Sequence, residues 1–223
     1  MLNYNINNNR YSTDDIGDNH IMTSIETPMV SSAFEKSESQ KIEIIEDSFK
    51  TIMEALGLDL EDDSLKGTPH RVAKMYVKEL FSGLDPKNKP SISVFDNKYG
   101  YSKLLIEKNI SFESACEHHF LPMRGKVHVG YISSGKVIGL SKMNRIVQYY
   151  GRRPQVQERL TIQILNELTL ALDTKSVIVI IDAEHLCVST RGINDKTSST
   201  ITVEYGGEFL NEVQRNEFLN LCK

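Results

Sequence analysis

A run of four reactive residues in the middle of the chain, Cys116-Glu117-His118-His119, constrains the fold more than any other feature. Cys116 and His119 form a C-x-x-H pair, the close spacing by which a tight turn presents two ligands to one metal ion. A stable zinc site needs ligands from elsewhere, and His185-Leu186-Cys187 offers them far along the chain. The fold must therefore bring two distant segments together.

The segment 184–190 is predicted to be a strand, on which His185 and Cys187 would point to the same face. The two clusters together predict a Cys-His-Cys zinc site with one open position, the feature that separates catalytic from structural zinc. The alternative is a set of buried cysteines and hydrogen-bonded histidines. It is less favoured because two Cys/His pairs occur among only three cysteines and six histidines.

Composition narrows the class of protein. The three cysteines are few and odd in number, which argues against a disulfide framework. We therefore expect a reducing, cytoplasmic location. A net charge of −4 gives no reason to expect nucleic acid as a partner. No apolar run approaches the roughly 20 residues of a membrane span, and the N-terminus does not resemble a secretory signal.

The order of periodic segments predicts an α+β protein with an antiparallel sheet. An amphipathic helix is predicted from Ser39, with Ser37 and Gln40 as a capping box, and a second helix from Thr68-Pro69. Later helices are predicted at 141–150, from Pro154 to 172, and at 211–221. Strands are predicted at 103–114, 126–132, 137–140, 176–181, 184–190 and 199–205. The domains are a disordered Asn/Ser-rich tail (1–38), a helical segment (39–100) and a catalytic domain (101–223).

A second cluster predicts an anion site. A helix that starts at Ser141 presents free backbone N–H groups, and Lys142 and Arg145 lie in its first turn. Cations are unfavourable at that end of a helix dipole, which indicates an anionic partner such as a phosphate. The alternative is a solvated basic face. Arg191, placed on the same strand face as Cys187, would add a cation near the metal and favours the functional interpretation.

The sequence does not decide the roles of two further charged residues. Glu158 lies among basic residues early in a helix, where a surface salt bridge is the default interpretation. Its carboxylate could equally accept both hydrogen bonds from the edge of a guanine. Arg71, on the second helix, is most simply a solvated charge.

Several long motifs, in order, resemble GTP cyclohydrolase I, over roughly Ile42 to the C-terminus. They are Gly67-Thr68-Pro69-x-Arg71-Val72-Ala73-Lys74-Met75-Tyr76, Ser114-Ala115-Cys116-Glu117-His118-His119, Gly139-Leu140-Ser141-Lys142, Arg153-Pro154-Gln155-Val156-Gln157-Glu158-Arg159-Leu160-Thr161 and His185-x-Cys187-x-x-x-Arg191-Gly192.

The resemblance implies the tunnelling fold (T-fold). In that fold N-terminal helices precede a four-stranded antiparallel sheet, with two helices inserted between its middle strands. It also implies a homo-oligomer, a toroidal decamer with active sites at subunit junctions. The implied reaction converts GTP and water to 7,8-dihydroneopterin triphosphate and formate, for folate or tetrahydrobiopterin synthesis.

The resemblance also implies roles for single residues. Cys116, His119 and Cys187 would ligate one Zn²⁺ per subunit, which activates a water for attack on C8 of the purine. His185 would protonate the imidazole ring nitrogen, and His118 would hold or deprotonate the water.

Substrate binding would use a larger set. Glu158 would read the guanine edge, and Gln157 belongs to the same substrate-binding set. Ser141, Lys142, Arg145 and Arg191 would hold the triphosphate, with Arg71 assisting from another subunit. Ser141 would also act in the later sugar rearrangement and ring closure.

Three other functions fit the sequence less well. A zinc deaminase of nucleobases would need His-x-Glu and Pro-Cys-x-x-Cys segments, which the sequence lacks. The paired zinc ligands argue against a T-fold reductase that acts on a deazaguanine nitrile. A structural zinc protein, or an inactive relative that regulates an active paralogue, would not need His118, His185 and Glu158. A regulatory protein partner stays open.

Overall fold

The structure, a computed structural model, describes residues 24–223, and these confirm the α+β class. The helices are α1 (Glu38–Ala55), α2 (Thr68–Met75), α3 (Leu140–Gly151), α4 (Gln157–Leu172), α5 (Leu186–Ser189) and α6 (Glu212–Cys222). The strands are β1 (Val94–Asp96), β2 (Leu104–Cys116), β3 (Pro122–Ile132), β4 (Lys136–Ile138), β5 (Pro154–Gln155), β6 (Val177–His185) and β7 (Thr200–Tyr205).

The main sheet has five strands in the order β5-β2-β3-β6-β7. The four longer strands pair antiparallel with their neighbours, whereas the two-residue β5 pairs parallel with the end of β2. The sheet is therefore mixed, and not the purely antiparallel four-stranded sheet that the resemblance implies. Helices α3 and α4 lie in sequence between β3 and β6, which are adjacent in the sheet. The short strands β1 and β4 form a separate antiparallel pair.

The core lies where α3 and α4 cover one face of the sheet. Alternate residues of β3, Val127, Val129 and Tyr131, are buried in the same cluster as Ile146 of α3 and Ile164 of α4. These alternate side chains point to one face of the sheet, as the period of two in a strand requires. Each fully buried aliphatic side chain contributes about 1.5–3 kcal/mol, so this layer fixes the orientation of both helices on the sheet.

The N-terminal helices follow the sequence signals closely. The capping box is confirmed, since the Ser37 side chain accepts from the Gln40 backbone N–H and the Gln40 side chain from the Ser37 backbone N–H. Helix α2 is capped by Gly67, with Thr68 as its first helical residue and not its cap. After Met75 the chain continues as a turn of π-helix.

The strand prediction for 184–190 is wrong. Strand β6 runs without interruption from Val177 to His185, and Leu186–Ser189 forms a helical turn. His185 and Cys187 therefore do not share a strand face, and Arg191 lies beyond the helical turn. The two residues still reach one site, because the strand end and the turn that follows it are adjacent.

Part of the segment assigned to the tail contacts the folded chain. The Ser24 carbonyl accepts a hydrogen bond from Arg159 at 3.0 Å, and the Ile25 carbonyl accepts one from Gln163 at 2.9 Å. Residues 1–23 lie outside the described residues, so the boundary at residue 38 stays a prediction. Between residues 24 and 223 no helix has the length and apolar character needed to cross a membrane.

Gly125→Ala tests the pairing of β3 with β6. A Cβ at Gly125 would lie 2.0 Å from the Asp182 backbone oxygen of β6, so the strands would have to separate. We expect a loss of about 2–3 kcal/mol in the free energy of unfolding, measured by urea denaturation. Gly139→Ala is the control, because its Cβ meets nothing closer than 3.7 Å. Equal stability of the two variants would contradict the pairing.

Candidate metal centre and substrate site

A tight turn between β2 and β3 carries two of the three candidate ligands. The Cys116 N–H donates to the Leu121 carbonyl and the Phe120 N–H to the Cys116 carbonyl, both at 2.8 Å. Phe120 has a φ of 56°, a left-handed conformation that closes the turn. Cys116 is buried at the end of β2, whereas His119 is exposed. The turn thus directs a thiol and an imidazole toward one point.

The third candidate ligand arrives from β6. Met123, at the start of β3, pairs with His185, at the end of β6. Helix α5 then begins, and Cys187 in its first turn comes over the C-x-x-H turn. The ligand atoms of Cys116, His119 and Cys187 all lie within 4.8 Å of one another. Two sulfurs on a tetrahedral zinc are separated by about 3.8 Å, so small adjustments would close the group around one ion.

The chemistry of the donors fits a soft or borderline divalent cation. Two thiols and an imidazole are the donor types that zinc prefers. Burial, together with the neighbouring Cys116 thiol, raises the pKa of Cys187 to about 11. The protein alone therefore favours the neutral thiol, and a bound cation would supply the charge that stabilises the thiolate.

His118 lies beside this group without belonging to it. Its Nδ1 is 3.4 Å from the Cys116 sulfur, and its ring contacts the His119 ring edge-on, with centroids 6.4 Å apart. The side chain is exposed. An imidazole in this position can exchange protons with a group bound at the open side of the metal.

His185 is held by Gln157, the first residue of α4. His185 Nε2 and Gln157 Oε1 are 2.8 Å apart. The Gln157 amide nitrogen donates to the carbonyls of Ile181 and Thr200 at 3.0 and 2.8 Å, so its oxygen must face the histidine. Nε2 of His185 therefore carries a proton, and Nδ1 is the nitrogen left for proton exchange.

Two effects act on the pKa of His185 in opposite directions. Burial lowers the pKa of His185, and the negative charge of Glu158 acts in the opposite direction. Glu158 is exposed in the first turn of α4, next to the buried Gln157. A direct contact of Gln157 with substrate stays a prediction, because in this chain its side chain holds His185.

Arg191 reaches the metal group by a different route from the one predicted. It follows α5, and its guanidinium Nη1 lies 3.0 Å from His119 Nε2. The side chain is exposed. A cation is thus available beside the ligands for an anionic substrate, as the sequence suggested, although no strand positions it.

The other predicted phosphate contacts lie elsewhere in the chain. The C-terminal end of α3 leads into β5, which pairs with Ala115 and Cys116. Ser141 and Lys142 lie near the opposite end of α3, about 14–15 Å along the helix from Gly151, and Arg145 lies in its middle, about 9 Å from Gly151. The Arg71 guanidinium donates to the Thr68 hydroxyl at 2.9 Å on α2. The part of these four residues in phosphate binding stays a prediction.

Sequence reasoning left Glu117 without a role, and the structure supplies one. Its carboxylate accepts two hydrogen bonds from the Arg159 guanidinium, whose side chain is only 1% exposed. The same guanidinium donates through Nε to the Ser24 carbonyl at 3.0 Å. Arg159 of α4 thus links the C-x-x-H turn to the N-terminal segment. Both residues stand in the quoted motifs, but only the fold shows that they meet.

The comparisons with known proteins agree with this geometry. The family model for GTP cyclohydrolase I matches residues 45–223. The chain belongs to the GTP cyclohydrolase I family. A GTP cyclohydrolase 1 of Flavobacterium johnsoniae is 55% identical over 216 residues, which is 97% of either chain. That of Aeromonas salmonicida is 53% identical over 200 residues, 89% of this chain and 91% of the relative. That of Vibrio vulnificus is 51% identical over 197 residues, 88% and 90%.

Glu117→Gln tests the ion pair between Glu117 and Arg159 at the C-x-x-H turn. The variant leaves the buried Arg159 guanidinium without its counter-charge, so we expect a loss of about 3 kcal/mol in the free energy of unfolding. The measurement is urea denaturation followed by circular dichroism. Glu113→Gln, at an exposed carboxylate on β2 four residues earlier, should change stability by less than about 0.5 kcal/mol. If both variants match the unaltered protein, the ion pair is not what holds the turn.

Proposed function

We propose that the chain catalyses the hydrolytic opening of GTP to 7,8-dihydroneopterin triphosphate and formate, the first step of pterin biosynthesis. The observation that carries the proposal is the convergence of Cys116, His119 and Cys187 beside His185 and Arg191. The chain in which this occurs is 55% identical, over 97% of its length, to a protein named GTP cyclohydrolase 1.

We infer that the metal is zinc, one ion per chain, held by Cys116, His119 and Cys187. Two sulfurs and one imidazole nitrogen are fewer ligands than a structural zinc site has, so the set would leave room for a water molecule. A zinc ion held by these residues would supply Lewis-acid activation of that water as the nucleophile for C8 of the purine.

The two histidines divide the proton transfers. His118, with Nδ1 next to the Cys116 sulfur, is placed at the rim of the metal group to hold the water or take its proton. His185 is oriented by Gln157, which keeps a proton on Nε2. Once Nδ1 has also taken a proton, the imidazolium would deliver that proton to the imidazole ring nitrogen of the purine. The ring nitrogen must gain a proton for the C8–N bond to break.

Glu158 is proposed to recognise the base. Its exposed carboxylate stands one residue after Gln157, close enough to influence the pKa of His185. A carboxylate accepts the N1–H and 2-amino hydrogens of guanine together, and adenine lacks this pair of donors. Base recognition would thereby be tied to the residue that orients the acid.

The triphosphate site is proposed to be completed by other chains. Arg191 lies beside His119, whereas Ser141 and Lys142 lie near the N-terminal end of α3, Arg145 lies in the middle of that helix and Arg71 lies on α2. A toroidal decamer with the T-fold, as the family resemblance implies, would bring such half-sites together. Ser141 would then also serve the later sugar rearrangement. A cytoplasmic location and a regulatory partner remain predictions.

An alternative is a structural zinc protein that regulates an active paralogue. Such a role would need the three ligands but not the Gln157–His185 pair. The amide nitrogen of the buried Gln157 donates to two carbonyls, which directs its oxygen to the imidazole of His185. A catalytic role for His185 explains why a buried glutamine orients this imidazole, and a structural role does not.

The direct test is incubation of the purified protein with GTP. Formate release and the fluorescent pterin formed after oxidation should both appear, and the same sample should contain about one zinc per chain. Zinc without any turnover would favour the structural alternative.

Cys187→Ala should lose zinc and activity together. Only two protein ligands would remain, too few for a stable site, so metal analysis should fall well below one zinc per chain. Cys222→Ala is the matched control, since that cysteine packs beside the Phe209–Phe218 cluster on the other face of the sheet. An undiminished zinc content in Cys187→Ala would contradict the assignment of the ligand.

His185→Ala should separate metal from chemistry. The zinc ligands are untouched, so zinc content and fold should persist, while formate release should fall by about 10²–10⁴-fold through loss of the acid. The control is His70→Ala, whose histidine is exposed and pairs with Glu46 at the N-terminal helices. Turnover near that of the unaltered protein would remove His185 from the acid role.

A further inference from the structure

A cavity of about 290 Å³ lies between the N-terminal segment and the end of α3. Its walls come from residues 26–34, from the loop that precedes β1, and from Tyr149, Tyr150 and Arg153. None of these residues is assigned to the metal or to GTP above. Arg153 stands in one of the motifs quoted from the sequence, and the proposed reaction does not use it.

Arg153 is a buried cation without a counter-ion. Its side chain lies 4.6 Å and 4.7 Å from the ring centroids of Tyr149 and Tyr150, and the residue is only 8% exposed. Its Nε is buried and has no hydrogen-bond partner, and no residue from 24 to 223 forms a salt bridge with its guanidinium. The two rings offset part of the cost of burying this charge, but they do not neutralise it.

A second orphaned atom lines the same cavity. The hydroxyl of Thr27 is buried and has no hydrogen-bond partner. Within residues 24–223 only five buried side-chain atoms are unsatisfied, and two of them belong to residues that line this cavity. A water molecule could satisfy the hydroxyl, but it could not neutralise the arginine. The pair is therefore suited to an anion that accepts hydrogen bonds from both groups.

The other charges around the cavity limit the ligand to one negative charge. Lys89 is already paired with Glu167 at 2.7 Å, and Glu26 is exposed and forms no ion pair with the arginine. One uncompensated cation remains. Much of the remaining wall is apolar, from Met29, Phe34 and Leu84.

We propose that this cavity binds a small monocarboxylate with an apolar body. The carboxylate would accept hydrogen bonds from the terminal guanidinium nitrogens of Arg153 and, after a change of rotamer, from the Thr27 hydroxyl, and the body would lie against the apolar wall. Arginine favours carboxylates through paired, charge-assisted hydrogen bonds. A multiply charged phosphate would bring negative charge that the cavity does not balance.

The site adjoins the metal centre without being part of it. The Arg153 carbonyl accepts a hydrogen bond from the Ser114 hydroxyl at 3.1 Å, two residues before Cys116. Its side chain points into a different cavity from the group that holds the metal. Occupancy can therefore be measured separately from turnover of GTP.

The test is isothermal titration of the full-length, zinc-loaded protein with benzoate, and with benzamide as its neutral isostere. For a ligand of this size we expect a dissociation constant of about 1 mM for benzoate and at least about tenfold weaker binding of benzamide. Saturation of the protein with a non-hydrolysable GTP analogue should leave its affinity for benzoate unchanged.

Variants locate the site. Arg153→Gln should weaken benzoate binding by about 10–100-fold, as expected for a lost hydrogen bond to a charged group. Thr27→Val, which preserves shape, should weaken it by about threefold to tenfold and keeps the test valid if Arg153→Gln does not fold. Arg152→Gln, at the exposed neighbouring arginine, should stay within about twofold.

Several results would overturn the proposal. They are no heat from benzoate at about 20 mM, equal affinity for benzamide, and equal affinity in Thr27→Val. Tighter binding of inorganic phosphate than of benzoate, lost in Arg153→Gln, would overturn the carboxylate class. If benzoate does not bind and Arg153→Gln changes the oligomeric state, the counter-ion comes from another copy of the chain.

Discussion

The buried ion pair between Arg159 and Glu117 is the interaction on which the rest of the site depends. The guanidinium is almost completely removed from solvent, so its charge is tolerable only while the carboxylate and the Ser24 carbonyl stay in place. Glu117 is the residue immediately after Cys116. Because α4 carries both Arg159 and Gln157, the same helix fixes the metal turn and the histidine beside it.

The antiparallel register then brings the distant ligands together. Strands β3 and β6 pair from Tyr131 with Val177 to Met123 with His185, so the end of one strand lies at the start of the other. Cys187 needs only the first turn of α5 to reach the C-x-x-H turn. The three candidate ligands are thus positioned by a sheet and its turns, whereas the imidazole of His185 is oriented by Gln157 of a helix packed on that sheet. This division explains why no single segment of the sequence contains the site.

Local patterns predicted the local parts of the molecule. The capping box at Ser37, the strand over 126–132 and the C-x-x-H spacing each depend on residues a few positions apart, and each appears in the structure. The segment 184–190 misled because short apolar alternations suit a strand or a helical turn equally well. The pairing of Gln157 with His185 and of Arg159 with Glu117 joins residues far apart in sequence. No periodicity encodes such contacts, so they required the fold.

We propose above that two cysteines and one histidine of each chain hold a zinc ion with one position open to water. X-ray absorption at the zinc K-edge of the purified protein measures that ligand set directly. We expect two sulfurs at about 2.3 Å and two lighter atoms, one imidazole nitrogen and one oxygen, at about 2.0–2.1 Å. In Cys187→Ala any remaining signal should show at most one sulfur. A shell of four protein ligands, or a sulfur count that Cys187→Ala leaves unchanged, would contradict the claim.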